Sequence, residues 1–302
     1  MSQKFAGVYV ALTTPFDNDE VSILKFQENI RAFNRFDLAG YVVLGSTGEN
    51  VFLSDAESEK LVAAAVEAAA PGRTVIVGTA RESTRLTVGF TNTLAALGAQ
   101  AALVRTPSYY KSRMTAEAQK AYFRRVADGS RLPVLIYHFP QNTGVTLDSR
   151  TVVELSEHPN IAGVKDSSGN LSAVGEVVPY VRKDFSFLLG TGSLVLPALL
   201  LGARGAILAM ANAAPELCGR LHRLFLEGCL AEAKELQLRL APLNRAVVTD
   251  YGIAGLKFAM DLQGFHGGPV RPPLLPLPDK GCAEIAAILA GLGLIRGQEG
   301  HR

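Results

Sequence analysis

The chain has 302 residues, of which 48% are hydrophobic and 19% charged, and its 30 basic and 28 acidic side chains give a net charge of +2. This composition is typical of a folded globular protein and excludes a disordered chain. The charges are well mixed, without a basic block or an aromatic-basic stripe, so we expect no nucleic acid partner. The longest apolar run, Leu194 to Leu201, is interrupted by Pro197 and too short to span a bilayer, so we expect no membrane partner.

The cysteine content and the N-terminus bear on the compartment. Cys218, Cys229 and Cys282 stand in no metal-binding spacing. A sparse, odd set of cysteines is typical of free thiols in a reducing compartment. The segment Met1 to Phe5 lacks the apolar stretch of a signal peptide. We therefore expect a cytoplasmic protein.

Eight short apolar runs alternate with helical patterns along the chain. They are rich in Val, Ile and Leu without polar alternation, as expected of parallel strands covered on both faces. The intervals between them are long enough for crossover helices, so the pattern predicts an α/β fold, a (β/α)₈ TIM barrel. The predicted strands are Val8–Leu12, Gly40–Leu44, Thr74–Gly78, Ala101–Val104, Pro133–Tyr137, Ile161–Lys165, Phe185–Leu189 and Gly205–Ala209.

Helix signals lie between these runs. Ser54 and Glu57 form a capping box that predicts a helix over Ala56–Ala70, and Thr115–Ala127 predicts another. A doubly wound open sheet is the rival fold. It usually carries a glycine-rich nucleotide loop after its first strand, whereas this chain has Thr13–Phe16 there.

The pattern changes near the C-terminus. Glu227–Val248, Gly252–Leu262 and Cys282–Leu292 have helical patterns, and Pro272–Pro278 reads as an extended connector. We therefore predict a barrel over residues 1–224 and a C-terminal helical extension over residues 225–302. This extension is expected to cover a barrel face or to build an oligomer interface.

The sixth apolar run ends on Lys165, and polar and glycine residues follow at once. In a (β/α)₈ barrel the chemistry lies at the C-terminal ends of the strands. A partly buried lysine that faces a pocket there offers a free amine, which is a nucleophile able to form a Schiff base with a ketone. Taken alone, Lys165 fits an ordinary solvated lysine better; the neighbouring strand ends favour the catalytic interpretation.

Polar residues at two other predicted strand ends converge on the same rim. Tyr137 ends the fifth run and is placed to move protons to and from the amine and the carbonyl. The loop Gly45–Gly48 follows the second run, and its N–H groups with the hydroxyls of Ser46 and Thr47 can hold a carboxylate. No Asp or Glu cluster at these ends has metal-ligand character, so we predict no metal.

Each of these groups also has a structural interpretation. Ser46 and Thr47 suit a simple turn, Tyr137 suits a core tyrosine, and Tyr109 suits a packing or interface aromatic. Three coincident strand-end groups are nevertheless much less expected by chance than one, and together they predict a Schiff-base site. We expect structural roles for other polar and glycine residues of the rim, namely His138, Glu49, Gly144 and Gly190.

Three motifs resemble those of one known family in their order and spacing. Gly45–Glu49, Tyr137–Gly144 and Gly163–Gly169 resemble the carboxylate, tyrosine and lysine motifs of the dihydrodipicolinate synthase / N-acetylneuraminate lyase family of pyruvate-dependent class I aldolases. The resemblance covers essentially the whole chain. It implies a (β/α)₈ barrel with a C-terminal helical extension, assembled as a homotetramer that is a dimer of dimers.

The resemblance also implies a role for each matching residue. Lys165 would form the imine with pyruvate, Tyr137 would be the acid and base, and Ser46 would relay the proton. Thr47 would bind the pyruvate carboxylate, and Tyr109 would complete the relay from the neighbouring subunit. Because the imine is itself the electron sink, no external cofactor would be needed. The carbonyl of Ile207 and the backbone near Gly190 would line the pocket, and Gly48 of the carboxylate loop is a further substrate-binding position.

The chain departs from the synthase pattern at Asn142. Synthases of this family usually read Tyr-Asn-x-Pro-x-Arg-Thr-Gly, with the arginine on the carboxylate of the aldehyde substrate, and asparagine cannot replace a bidentate guanidinium. Thr106–Met114 and His158–Ile161 resemble the 4-hydroxy-2-oxoglutarate aldolase branch, although that branch tends to have Asn in place of Thr47. Candidates for binding the second substrate's polar groups are Arg105, Lys111, Ser167 and Asn142.

We therefore predict a lyase that forms or cleaves a C–C bond between pyruvate, or another 2-oxo acid, and an aldehyde, closest to 4-hydroxy-2-oxoglutarate aldolase-like members. One alternative is the dihydrodipicolinate synthase reaction, which joins pyruvate and aspartate semialdehyde. Another is an aldolase or dehydratase of 2-oxo-3-deoxy sugar acids. A catalytically silent pyruvate-binding barrel is the alternative outside enzymes, and the intact set of Lys165, Tyr137, Ser46 and Thr47 argues against it.

Overall fold

Eight parallel strands close into a barrel in the computed structural model, which describes residues 5–295. Each strand pairs with its neighbours in chain order, and the first and last strands pair to close the ring. The predicted (β/α)₈ fold is therefore confirmed. The strands are β1 Gly7–Ala11, β2 Gly40–Val43, β3 Thr74–Gly78, β4 Ala101–Arg105, β5 Val134–His138, β6 Ile161–Asp166, β7 Ser186–Leu189 and β8 Gly205–Leu208.

Residues 1–4 and 296–302 lie outside the described part. They include most of the segment Met1–Phe5 and the last residues of the predicted extension. A short antiparallel hairpin, Phe16–Asp17 with Glu20–Val21, follows β1. None of the helices within residues 5–295 is long and apolar enough to cross a membrane.

Helices connect the strands and continue after the last one. Ser54 caps α2 as predicted, because its hydroxyl accepts from the Glu57 N–H at 3.2 Å while Oε2 of Glu57 accepts from the Ser54 N–H at 2.8 Å. The helices are α1 Ile23–Phe33, α2 Asp55–Ala68, α3 Thr84–Ala96, α4 Ala116–Gly129, α5 Pro140–Thr143, α6 Ser149–Ser156, α7 Ser172–Val177, α8 Val195–Leu200, α9 Pro215–Leu226, α10 Leu230–Asn244, α11 Gly252–Asp261 and α12 Asp279–Gly291.

The prediction of one helix over Glu227–Val248 is wrong in two respects. Gly228 has φ +76°, a left-handed conformation that ends α9, so α10 begins only at Leu230. Beyond Asn244 the chain winds as a π-helix over Arg245–Asp250. A π-helix is rare, and π-helical turns next to α-helices frequently lie at functional sites.

The barrel separates two apolar layers. Alternate strand residues point into the barrel, where Tyr9, Val42, Leu103, Leu135 and Ile207 belong to one buried cluster. The remaining strand residues point outward and pack beneath the helices in a larger cluster. The lower barrel is thus filled by side chains, which leaves the carboxyl ends of the strands as the place for a ligand.

The C-terminal helices share the outer apolar layer with the barrel. Leu240 and Leu243 of α10, Leu256 of α11 and Ile285 of α12 belong to the same buried cluster as the outward-facing strand residues. Gln237 also binds the segment after β7, since its Oε1 accepts from the Leu196 N–H at 2.9 Å. The predicted boundary between residues 224 and 225 falls near the end of α9, and it stays a prediction.

Candidate active site

The ends of three neighbouring strands form one row of side chains. Arg105 of β4 is the register partner of Tyr137 of β5, which is the register partner of Lys165 of β6. Side-by-side partners in a parallel ladder point to the same face of the sheet. Tyr137 belongs to the cluster inside the barrel, so the whole row faces the interior at the carboxyl ends of the strands.

Lys165 presents its amine to a cavity. The residue is only 4% exposed, and its Nζ lies 4.2 Å from the centre of the Tyr137 ring. Among residues 5–295, no carboxylate pairs with this Nζ and no atom accepts a hydrogen bond from it. A buried lysine is normally paired because desolvating an ammonium is costly. The absence of a protein partner therefore marks Lys165 as a group that meets a ligand.

Tyr137 links the lysine to the loop after β2. Its hydroxyl lies 3.5 Å from Oγ of Ser46, at the outer limit of a hydrogen bond. Its ring stacks on Phe139 with the ring centres 5.7 Å apart, which fixes the plane of the phenol. The phenol can therefore exchange protons with both the amine side and the Ser46 side of the cavity.

The loop after β2 offers unused backbone donors. Ser46–Gly48 forms a 3₁₀ turn, whose own hydrogen bonds run from Gly48 N–H to Gly45 at 3.0 Å and from Glu49 N–H to Ser46 at 3.1 Å. The N–H groups of Ser46 and Thr47 stand at the open start of this turn, with no acceptor within the described chain. Such a start is suited to an anionic ligand group.

Glu49 braces its loop, which is the structural role expected of it, and its partners lie in the C-terminal extension. Its Oε1 lies 2.6 Å from Nζ of Lys257 on α11. The angles at this contact do not fit a hydrogen bond, so the contact is an ion pair. Its Oε2 accepts from the Arg271 N–H at 2.8 Å. Burial lowers the pKa of Lys257 from its ordinary value, although the attraction of Glu49 opposes the shift.

A second buried pair holds the segment after Lys165. Nε2 of His138 accepts from the Leu147 N–H at 3.1 Å, so Nδ1 carries the proton that is donated to Oδ2 of Asp166 at 2.8 Å. The other oxygen of Asp166 accepts from the N–H of Ser168 at 2.8 Å and from its hydroxyl at 2.6 Å. His138 therefore has the structural role expected from its alternation with Tyr137.

The predicted residues converge on a cavity of about 370 Å³. A Cβ at Gly190 would lie 1.8 Å from Oγ and 2.9 Å from Cβ of Ser167, so a larger residue there would displace the Ser167 side chain. The sequence-predicted residues that line the cavity are Ser46, Thr47, Tyr137, Asn142, Lys165, Ser167, Gly190 and Ile207.

Four predicted residues do not line this cavity within one chain, namely Gly48, Tyr109, Arg105 and Lys111. Gly48 of the loop contacts the segment after β1 instead, where Thr14 Oγ1 donates to its carbonyl at 2.7 Å. Tyr109 is 78% exposed, and its ring packs edge-on against Tyr110 with the centres 5.1 Å apart. The role that the family resemblance gives Tyr109 requires a second chain.

The sequence did not identify the residues that reach the cavity from the extension. Asn244 at the end of α10, with Val248 and Thr249 of the π-helix, lines the cavity opposite the strand ends. The strand-end rule cannot find them, since they come from helices. Among the described residues no three His, Cys, Asp or Glu side chains gather as a metal site would require.

A closed barrel with a buried, unpaired lysine and a tyrosine at neighbouring strand ends has the architecture of a class I aldolase, an enzyme that works through a lysine Schiff base. Comparison with known proteins narrows the class. The chain belongs to the dihydrodipicolinate synthetase family, whose model matches residues 4–291. It is therefore a pyruvate-dependent lyase of the Schiff-base type.

Relatives match along almost the entire chain. The 4-hydroxy-tetrahydrodipicolinate synthase of Methanothrix thermoacetophila is 34% identical, over 97% of this chain and 99% of the relative. The protein of the same name from Thermomicrobium roseum is 37% identical, over 94% and 93% of the two chains. The crystal structure of dihydrodipicolinate synthase from Aquifex aeolicus superposes with a TM-score of 0.91 at 31% identity, covering 97% of this chain and 100% of that chain.

Proposed function

We propose that this enzyme joins pyruvate to aspartate semialdehyde through an imine on Lys165, the reaction that the dihydrodipicolinate synthase name denotes. The observation that carries the proposal is Lys165, a 4% exposed residue on the cavity wall whose amine has no protein partner among the described residues and lies 4.2 Å from the Tyr137 ring centre. The names of the relatives favour this synthase reaction over the 4-hydroxy-2-oxoglutarate aldolase interpretation.

The proposed chemistry begins with attack of Nζ of Lys165 on the keto carbon of pyruvate. A C–N bond forms, and the keto oxygen leaves as water. The protonated imine then draws electrons from the methyl carbon, which loses a proton to give an enamine. That carbon attacks the aldehyde carbon, and the new C–C bond leaves an alkoxide that takes up a proton. Attack of the product's own amine on the imine, or hydrolysis, releases Lys165.

Tyr137 is the group proposed to carry these protons. Its position between Lys165 and Ser46 supports a phenol that accepts a proton on one side and returns it on the other. The open N–H groups of Ser46 and Thr47 are proposed to bind the pyruvate carboxylate, because two backbone donors at a turn start match a planar anion. No external cofactor enters this scheme, because the imine is the electron sink.

The assembly is proposed to be a dimer of dimers in which Tyr109 reaches the site of a neighbouring subunit. The exposed, edge-packed pair of Tyr109 and Tyr110 supports this, since exposed aromatic pairs favour interfaces. A cytoplasmic location is proposed because Cys218, Cys229 and Cys282 are all free thiols.

Cleavage of 4-hydroxy-2-oxoglutarate is a second candidate, and one observation favours it. Asn142 lines the cavity at the position where the synthase pattern has arginine, and a neutral amide binds a carboxylate less strongly than a guanidinium. The same Lys165 imine would run in reverse, with C–C cleavage to pyruvate and glyoxylate.

The two candidates are separated by parallel assays on the purified enzyme. One follows pyruvate consumption with aspartate semialdehyde, and the other follows pyruvate release from 4-hydroxy-2-oxoglutarate. We expect the reaction with aspartate semialdehyde to have the higher kcat/KM. A higher kcat/KM for cleavage would replace the synthase proposal by the second candidate. Asn142→Arg is the matched variant, and it is expected to shift the ratio further towards the synthase reaction.

A further inference from the structure

Arg105 stands in the same row as the two proposed catalytic side chains. It ends β4 beside Tyr137, just as Lys165 lies beside Tyr137 on the other side. A charged residue at a barrel position that points to the interior is costly to bury, so it needs either a structural partner or a ligand. The chemistry proposed above gives Arg105 no role.

Arg105 lines a second cavity of about 410 Å³. This cavity shares Ser46, Tyr137 and Asn142 with the cavity that contains Lys165. The two spaces are therefore adjacent, and the Tyr137 side chain lines both. A substrate whose aldehyde carbon meets the enamine on Lys165 can place the rest of its chain in the space beside Arg105.

The second cavity has one ionised lining group. Its remaining lining residues within the described chain are apolar, glycine or neutral polar ones, such as Leu44, Val51 and Ser108, and no carboxylate is among them. An anion in this space thus meets one fixed positive charge and no negative one. Charged groups interact more strongly in such a partly enclosed, weakly polar space than in water.

Glu82 holds the guanidinium in place without using all of its donors. Nη1 of Arg105 donates to Oε1 of Glu82 at 2.9 Å, and Oε2 of Glu82 accepts from the N–H groups of Ser108 at 2.8 Å and Tyr109 at 3.0 Å. Nε and Nη2 of Arg105 have no acceptor within residues 5–295. Two donors on one guanidinium therefore stay available, enough for a bidentate carboxylate contact.

The charge of Glu82 does not cancel that of Arg105 within the cavity. The Glu82 side chain is 44% exposed and does not line the cavity, whereas the Arg105 side chain is 21% exposed and does. Water screens the outer partner of such a pair more than the inner one. Burial alone would raise the pKa of Glu82, but donors from Tyr109, Ser108 and Arg105 lower it on balance, so Glu82 stays ionised and keeps its hold on the guanidinium.

We propose that Arg105 binds the carboxylate of the second substrate and makes this enzyme selective for aldehydes that carry an acid group. Asn142 lines the same cavity and contributes a neutral hydrogen bond, while Arg105 contributes the charge. The proposal rests on the imine chemistry proposed above. It holds for the synthase and for the cleavage candidate alike, since both second substrates carry a carboxylate.

A matched pair of aldehydes tests the proposal. Succinate semialdehyde and butanal have the same chain length and differ in whether the chain ends in a carboxylate or a methyl group. With pyruvate as co-substrate, we expect the wild-type enzyme to favour succinate semialdehyde in kcat/KM by roughly 10- to 100-fold, the range of a charge-assisted contact. Equal use of both aldehydes, or use of neither while pyruvate is bound covalently, would overturn the assignment.

Variants at Arg105 locate the selectivity. Arg105→Met is expected to raise KM for succinate semialdehyde by roughly 10- to 100-fold and to leave butanal nearly unchanged, while Arg105→Lys retains part of the preference. Arg113→Met is the control, because Arg113 is an exposed residue of the same connection and lines neither cavity. An equal loss for both aldehydes, or no loss, contradicts a carboxylate contact.

Borohydride trapping with pyruvate alone separates the two proposals. Trapping in Arg105→Met at the wild-type level shows a folded site with intact imine chemistry, so the aldehyde comparison then judges Arg105 by itself. If Arg105→Met does not fold, Arg105→Gln takes its place in the same comparison. A wild-type enzyme that traps no pyruvate overturns the proposed function and, with it, the role of Arg105.

Discussion

Oε1 of Glu49 lies 2.6 Å from Nζ of Lys257, and both side chains are at most 1% exposed. The pair joins the loop that carries Ser46 and Thr47 to α11 of the C-terminal extension. Lys257 and Lys165 are both buried lysines, yet only Lys257 has a protein counter-ion. This difference separates the lysine that stabilises the fold from the lysine that faces the cavity.

Removing one partner of this pair leaves a buried charge without compensation. Glu49→Gln is expected to lower the free energy of unfolding by about 3–5 kcal/mol. The double variant Glu49→Gln/Lys257→Met removes both charges and should recover a large part of that loss. Urea unfolding of the three proteins measures both values. A Glu49→Gln variant as stable as the wild type would refute the bracing role.

A second ion pair predicts a pH dependence. The Arg271 guanidinium beside Glu57 lowers the pKa of that carboxyl from 4.5 to about 2, against the opposing effect of burial. Because the folded pKa is the lower one, the stabilisation is complete above 4.5 and is lost as the pH falls towards 2. Glu57→Gln should therefore be less stable than the wild type at neutral pH, and the difference should vanish near pH 2. Unfolding curves across this range test the sign, and a difference that does not change with pH contradicts it.

The two carboxylate oxygens of Asp166 accept hydrogen bonds from His138 and Ser168, and an amide has only one oxygen to accept them. Asp166→Asn replaces an oxygen by an NH₂ group, so either His138 or Ser168 loses its acceptor. We expect a loss of about 1–3 kcal/mol in the free energy of unfolding and slower imine formation on Lys165. Ser168→Ala, which removes the hydroxyl contacts to Asp166 and to the Asn170 N–H but keeps the Ser168 N–H contact to Asp166, is the control and should cost about 1 kcal/mol. Unchanged trapping kinetics in Asp166→Asn would show that this pair does not position Lys165.

Tyr137→Phe removes the proposed proton carrier and little else. The hydroxyl makes one long contact, so the fold should be retained while kcat falls by roughly 10²- to 10⁴-fold. Tyr41→Phe is the control, since Tyr41 is a buried strand tyrosine whose hydroxyl binds Asn34 at 2.8 Å, outside both cavities. Ser46→Ala should have a smaller effect than Tyr137→Phe. Equal kcat values for Tyr137→Phe and the wild type would remove the phenol from the mechanism.

The barrel and the main site residues follow from the sequence because their signals are local. Each strand is a short apolar run, and the residues that end the runs must meet at one rim. This rule places Tyr137, Lys165 and the Ser46 loop without any structure. Register partners are known only once the strands are paired. The sequence therefore names Arg105 as a candidate for binding the second substrate but does not place it beside Tyr137.

The remaining features depend on contacts between distant segments. Lys257 reads as a surface residue of an amphipathic helix, and its partner Glu49 is on a loop near the other end of the chain. Asn244 and Thr249 reach the cavity only because α10 packs on the segment after β7 and continues as a π-helix. Glu82 follows β3, yet it orients a residue of β4. No local pattern encodes these relationships.

The proposed mechanism depends most directly on the imine at Lys165. We would reduce the wild-type enzyme with borohydride in the presence of pyruvate and locate any adduct by intact mass and peptide mapping, with Lys165→Ala as the control. The imine mechanism predicts one pyruvate-derived adduct per chain, on Lys165, and none on the variant. No adduct on folded wild-type enzyme, or the same adduct level on Lys165→Ala, would contradict it.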